Sequence, residues 1–471
     1  MKETTSKESK NKNYSWIKRY LKAMGAEFTG VSVEDPTGAK TAEKEKSSWI
    51  KRYLRAMGPG LVTGAADDDP SGIATYSQAG AGFGLSLLWT TLITFPLMAA
   101  VQEISDRTAL ATGKSLGKLI LERFPKRGKP ILAILLLGMG ITNVVSVAGD
   151  LGAAGSGMSM LGLGPSWIWA AAGGIGILLV LLLGSFPLVA KVFKLLAMSL
   201  LSYLVVLFLS KPNWIEVFNN TFVPNVSLNP QYISMLVAVL GTTISGYLFF
   251  WQSGHRIEEL RQEPTGGPKA VSLDELPKAK KKVKQTFARL DVISGMAFSN
   301  LVMFAIIAST ADTIGRHKSV NIQTATQAAQ ALRPFAGQFA SVLFALGFIG
   351  TAMLAIPVLA GSVALASSDL LEKSWGFSKK VKEAPVFYGL VALGTLGGTF
   401  LSISGFALMK LLVLVATING LIDPPFLIIL MLVSNSQTIM GDQKNGRIAN
   451  YLGWITTILM TGAAITLLVT S

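Results

Sequence analysis

The chain has 471 residues, half of them hydrophobic and only 15% charged, with 47 Gly. A soluble domain carries about a quarter charged residues, so a soluble globular protein is excluded, and the net charge of +15 reads as attraction to a membrane surface rather than to nucleic acid. Cysteine is absent and imidazole comes only from His255 and His317, which excludes disulfides, thiolate chemistry and a His-rich zinc site.

Residues 1–58 are polar and basic, without the apolar stretch of a signal peptide. They hold a duplication: Ser15-Trp16-Ile17-Lys18-Arg19-Tyr20-Leu21 recurs as Ser48-Trp49-Ile50-Lys51-Arg52-Tyr53-Leu54. It reads either as a basic amphipathic segment on the membrane surface or as a copied run-up to the first span. From residue 59 onward, apolar stretches of the length a spanning helix needs, about 20 residues, recur. Eleven spans are expected, at 59–80, 84–105, 130–157, 166–184, 187–210, 231–252, 289–312, 336–370, 385–403, 406–434 and 449–469. The eighth is too long for one straight crossing. With the N-terminus inside, only Lys211, Arg316, Lys318 and Arg333 fall outside, and Lys410 falls within a span; the other Lys and Arg residues share the inner side. That asymmetry predicts a multi-pass protein of the inner (plasma) membrane with a cytoplasmic N-terminus, its basic loops facing anionic lipid. The run Lys278-Ala279-Lys280-Lys281-Lys282-Val283-Lys284 in the sixth-to-seventh loop reads as a topology anchor or a headgroup contact, and His255 as a solvated loop residue.

Ionisable groups inside a membrane cost about 2.5–3.5 kcal/mol each on insertion scales, so they are the first functional candidates. The first span contains Ala66-Asp67-Asp68-Asp69-Pro70-Ser71-Gly72. Pro70 removes a backbone donor and Gly72 weakens the helix, so the helix should break there and free the carbonyl of Ala66 beside the carboxylate of Asp69. Carboxylate and carbonyl oxygens suit a hard divalent cation. The sixth span contains Gly241-Thr242-Thr243-Ile244-Ser245-Gly246-Tyr247, a second interruption five spans later. Paired interruptions point to an inverted-repeat transporter with its site at the midplane. Asp150 in the third span is expected to be a proton carrier, a cation relay or a structural partner. Asp423, before Pro424-Pro425, is expected to break the tenth span and face the permeation path. No nucleophile–base pair stands out, so an enzyme is not expected.

Asp69-Pro70-Ser71-Gly72, followed by Gln78-Ala79-Gly80 and preceded by Gly58-Pro59-Gly60, resembles the helix-1 signature of the NRAMP metal-ion transporters. The resemblance covers about residues 56–470. It implies an all-α membrane protein of about 11 transmembrane helices with a LeuT-type inverted repeat (5+5) plus one extra helix: repeat one at 59–210, repeat two at 231–434, and the extra helix at 449–469. Against the family pattern, Gly72 stands where an Asn ligand is usual, and Ser245-Gly246-Tyr247 stand where Met-Pro-His is usual. Asn143 replaces a glutamate and Ala153 a nearby acid, while Asp150 matches a family Asp linked to proton movement. This pattern resembles the NRAMP-related magnesium branch. It implies a roomier, sulfur-free site, with Asp69, Ala66, Gly72, Thr242, Ser245 and Asp68 at the metal and Asp150, Asn143, Tyr247 and Asp423 along the path.

The expected function is import of Mg²⁺, with Mn²⁺ also carried, by alternating access and without strict proton coupling. The expected protein is a monomer surrounded by lipid, with no tightly bound cofactor and the metal as its cargo. A proton-coupled Mn²⁺/Fe²⁺ symporter and a Na⁺-coupled organic solute transporter on the same fold are the alternatives.

Overall fold

Apolar stretches of 18 residues or more can satisfy their backbone in lipid only as helices or closed barrels, and here they become helices. A computed structural model describes residues 59–184, 192–193, 195–263, 270–313, 338–405 and 408–470; the duplicated N-terminal segment lies outside them. The helices used below are α1 (Pro59–Asp67), α2 (Pro70–Phe83), α3 (Thr90–Thr112), α4 (Leu116–Arg123), α5 (Gly128–Met160), α6 (Ser166–Leu183), α7 (Leu201–Leu209), α8 (Trp214–Phe222), α9 (Pro230–Thr243), α10 (Gly246–Gln262), α11 (Lys278–Thr313), α12 (Gln338–Leu370), α13 (Pro385–Ser402), α14 (Leu408–Ser434) and α15 (Arg447–Thr470). Eight helices among the described residues are long and apolar enough to span a membrane. The expected first span is the broken pair α1 and α2, and the sixth is the broken pair α9 and α10.

Burial separates the helices into an inner and an outer set. The apolar window of the span in α12 is 83% buried, and that of Pro230–Gln262 is 78% buried; those of α6 and α15 are only 28% buried. Ile175 and Leu179 on α6, and Ile458 and Leu459 on α15, are exposed, as befits lipid-facing helices. The inner set meets through glycine. A methyl on Gly64 would lie 2.2 Å from the Gly295 carbonyl oxygen, and one on Gly295 would lie 2.0 Å from that of Gly60. α1 and α11 thus meet backbone to backbone, the close approach that small residues permit where no hydrophobic effect drives helices together.

Several boundaries differ from the expectation. The third helix in chain order starts at Thr90, not 84, because Gly84 takes φ +59 and opens a 3-10 turn, Gly84–Leu87. The chain bends there by 113°. The lysine run at 278–284 is not loop: it forms the first turns of α11, where Lys284 pairs with Glu263 at 2.6 Å and Lys281 with Asp274. His255 lies within α10 and is half-buried, 5.4 Å from the Trp251 ring, so the solvated-loop expectation is corrected. Asp423-Pro424-Pro425 does not break α14, which runs unbroken from Leu408 to Ser434. Two missing N–H groups cost two backbone bonds, but the helix is held from outside: α9 approaches Gly420 so closely that a Cβ there would lie 3.0 Å from the Val237 carbonyl oxygen, and Asp423 is bonded to α10.

Candidate metal site at two helix breaks

The break after α1 follows from its sequence. Proline disfavours helical geometry in the residue before it, and Asp69 is extended at φ −66, ψ 170. It becomes the N-cap of α2: its Oδ1 accepts from the Gly72 amide at 2.9 Å and from the Ser71 hydroxyl at 2.5 Å. A capping carboxylate satisfies orphan amides and sits at the positive end of the helix dipole. The second break forms differently. Ile244 leaves the helix at φ −122, ψ 63 and Ser245 is extended. The Ser245 hydroxyl donates to the carbonyls of Gly241 at 2.8 Å and Thr242 at 3.2 Å, so it caps α9 and keeps its oxygen lone pairs as acceptors.

The two breaks touch. Ser71 Oγ is 3.5 Å from Thr242 Oγ1, Tyr76 Oη is 3.0 Å from Thr243 Oγ1, and the Tyr247 hydroxyl reaches the Ala66 carbonyl at 3.5 Å. Asp69, Ala66, Gly72, Thr242, Ser245 and Tyr247 therefore come together around one locus, all of them buried. Its donors are oxygen: one carboxylate, hydroxyls and carbonyls. Among the described residues no three His, Cys, Asp or Glu side chains form a metal-holding group. The thioether of Met303 lies to one side, on α11, at 3.9 Å from Thr243 Oγ1.

The neighbouring acids diverge. Asp67 turns to α11, where its Oδ2 accepts from Ser299 Oγ at 2.8 Å. Both oxygens of Asp68 are buried without a hydrogen-bond partner, as are both oxygens of Asp150 on α5. Tyr247 lies within electrostatic range of Asp67, Asp69, Asp150 and Asp423. Asn143 is not at the locus: its amide donates to the Leu359 carbonyl at 2.9 Å and to Ser362 Oγ at 3.3 Å, tying α5 to α12. The expectation that Gly72 leaves the site roomier is corrected. A Cβ there would already lie 3.3 Å from Asp67 O and Thr242 Oγ1 and 3.4 Å from the Tyr76 ring, so the backbone at Gly72 is closely packed rather than open.

Asp423 has a role the sequence did not disclose. Its Oδ1 accepts from the Gly246 amide at 2.9 Å, so a side chain from α14 caps the start of α10. Gly246 has to be glycine for this approach, since a Cβ would fall 2.6 Å from the Phe426 ring and 2.8 Å from Asp423 Oδ1. A Gly directly after an extended Ser, together with an acid held inside an apolar helix, was the available signal.

One further set of charges went unread in the sequence. Asp106 Oδ1, on α3, accepts from Arg256 Nε at 2.8 Å and Gln252 Nε2 at 2.7 Å, both on α10. Arg256 also lies 3.6 Å from Asp291 of α11, whose Oδ2 accepts from the Gly60 amide at 2.8 Å. Glu103 is held by Arg107 and by Arg289. This lattice ties the start of α1 to α3, α10 and α11.

Comparison with known proteins agrees with this architecture. A family model described as natural resistance-associated macrophage protein-like (Nramp) matches residues 60–470. The chain is 25% identical over 403 residues to a divalent metal cation transporter MntH of Klebsiella pneumoniae, covering 84% of this chain and 89% of that one. It is 26% identical over 408 residues to the MntH of Deinococcus radiodurans, covering 85% and 86%. Among solved structures, a manganese transporter of Eremococcus coleocola superposes with a TM-score of 0.68 at 17% identity, over 92% of this chain and 90% of that one. MHP1, a nucleobase-cation-symport-1 family transporter, gives 0.53 at 13% identity, over 93% and 94%. The fold is therefore the broken-helix, inverted-repeat type, and the chain is a transport protein, not an enzyme. With the family model spanning 60–470 and two broken helices in contact through Ser71–Thr242 and Tyr247–Ala66, this chain belongs to the Nramp family.

Proposed function

We propose that the protein carries divalent metal cations across the membrane by alternating access, that Mg²⁺ is accepted together with Mn²⁺, and that movement is not strictly coupled to protons. The observation that carries this reading is the donor set where the breaks meet: one carboxylate, Asp69, with hydroxyl and carbonyl oxygens around it, while the Met303 thioether contacts Thr243. Oxygen-only, weakly charged sites suit hard cations, and Mg²⁺ keeps several of its waters. Asp69 binds the ion directly or through water, with Ala66, Thr242 and Ser245 lining the place and Gly72 behind it. Asp68 adds negative charge to the approach. The names of the relatives, divalent metal cation transporters, support the class of cargo.

Loss of proton coupling is supported by Asn143, a side chain that cannot titrate and is already bonded to Leu359 and Ser362. In the arrangement described, the Asp106–Arg256–Asp291 lattice holds the start of α1 and the length of α10 together, so release of cargo on that side requires these ion pairs to part. The basic loops support a cytoplasmic location for that side in a plasma-membrane protein.

A second reading keeps proton coupling and Mn²⁺/Fe²⁺ selectivity. It is favoured by Asp150, whose two buried oxygens have no partner and stand near Asp69. A Na⁺-coupled carrier of organic solutes shares the fold but not the family. Metal uptake by proteoliposomes, followed with an internal Mn²⁺ dye, tests the site: Asp69→Ala should abolish uptake while leaving the protein in the membrane. Wild-type uptake by that variant would remove Asp69 from the site.

A further inference from the structure

Away from the helix breaks, α4, the last turn of α10 and the segment following α12 enclose an open cleft of about 760 Å³. That volume is within the range of small-molecule sites, roughly 300–1,000 Å³. Its walls carry six cations, Lys114, Lys118, Lys129, Arg261, Lys373 and Lys379, against three carboxylates, Glu122, Asp369 and Glu372. The carboxylates are engaged. Glu122 pairs with Lys114 at 2.9 Å and Glu372 with Lys129 at 2.8 Å. Asp369, buried at the base, accepts from Ser115 Oγ at 2.6 Å and Trp375 Nε1 at 2.7 Å.

Three cations are left with capacity for an anion. Lys118 and Lys373 are exposed and form no ion pair among the described residues. Arg261 is fixed, its guanidinium 4.4 Å from the centroid of the Trp375 ring, with Nη1 donating to Glu258 at 3.0 Å and to the Trp375 carbonyl at 3.1 Å. Its Nε is buried without a partner. A held guanidinium flanked by two exposed ammonium groups, of which Lys118 shares the charge of Asp369 with Arg261, suits an oxyanion of more than one charge, which arginine engages in fork geometry and lysine as a point charge.

We infer that this cleft binds a multiply ionised phosphate, carried either by a soluble compound or by a lipid headgroup. The site is distinct from the cargo locus and stands whichever metal is carried. It is nonetheless mechanically joined to it: Arg261 and Glu258 close the same α10 that begins at Gly246, and Glu258 Oε2 accepts from the Ser378 amide at 2.7 Å. An occupant braces the last turn of α10 against α4 and the segment after α12, so occupancy opposes movement of that half-helix.

The test uses the full chain in phosphatidylcholine nanodiscs, titrated calorimetrically in one arm with metal-free pyrophosphate and in the other with short-chain phosphatidic acid. The variant is Lys118→Glu/Lys373→Glu, two exposed positions that leave the core untouched. Lys444→Glu/Arg447→Glu, exposed cations outside the cleft, controls for general charge. A tenfold or greater loss of pyrophosphate affinity in the cleft variant alone identifies a soluble phosphate site. The same loss confined to phosphatidic acid identifies a headgroup site. No binding in either arm, or equal weakening in both variants, overturns the inference.

Discussion

Removing the Asp423 carboxylate separates two roles for an acid inside the membrane, a cap and a cation ligand. As a cap, Asp423 satisfies the first amide of α10 through one 2.9 Å bond, in a pocket where the residue is 3% exposed. Asp423→Ala leaves that buried amide unpaired, which costs about 1–3 kcal/mol, and forfeits the favourable placement of an anion at a helix N-terminus, about 0.3–1 kcal/mol and up to about 2 in buried geometry. The expected loss is roughly 2–4 kcal/mol, a sum of these two effects. Asp423→Asn keeps the accepting oxygen and loses only the charge, so about 1 kcal/mol is expected. Equilibrium unfolding in mixed micelles reads both, and Mn²⁺ uptake at equal protein level reads function. As a cap, Asn restores most of the stability and most of the transport. If Asn is as inactive as Ala while the protein stays fully stable, Asp423 is a cation ligand and the capping argument is wrong. Gly246→Ala gives the independent check: its Cβ would crowd Phe426 and Asp423, and its effect should be strongly non-additive with that of Asp423→Ala, because both act on one contact.

Other consequences are open to measurement. Asp69→Asn retains an N-cap oxygen, so it should fold and insert normally yet lose metal uptake; loss of folding instead would make Asp69 a structural residue only. Arg256→Met leaves Asp106 as a buried charge without its main partner, a defect of about 3–5 kcal/mol, and adding Asp106→Leu should recover much of it in an unfolding titration. Gly64→Ala places a methyl 2.2 Å from the Gly295 carbonyl and should cost about 1–3 kcal/mol by overpacking. Asp150→Asn should leave Mn²⁺ uptake at near wild-type rates if protons are not carried, and a collapse of uptake would favour the coupled reading.

The legible parts of this molecule were those set by local chemistry. Pro70 after three acids dictates a helix break whatever surrounds it, and the structure breaks there. Length and hydropathy located the spans expected at 166–184, 385–403 and 449–469 to within a few residues, whereas α3, α10 and α11 run seven or more residues beyond their expected bounds. What stayed hidden depends on partners distant in sequence. Pro424-Pro425 signalled a break as strongly as Pro70 did, yet α14 continues because α9 and α10 support it from the side. Gly72 signalled a vacancy, yet Asp67, Thr242 and Tyr76 pack closely around the position a Cβ would take. Asp67 accepts from Ser299, 232 residues away, a partner no local pattern announces. Arg256, just past the expected sixth span, gave no local sign of its partners Asp106 and Asp291, which lie on two other helices.

Uptake of Mg²⁺ into proteoliposomes, recorded with an internal Mg²⁺ dye and an internal pH probe together, bears most directly on the central claim. Mg²⁺ entry in the wild type without acidification, abolished in Asp69→Asn, is the expected result. Absence of Mg²⁺ entry, with Mn²⁺ entering alongside protons, would contradict it.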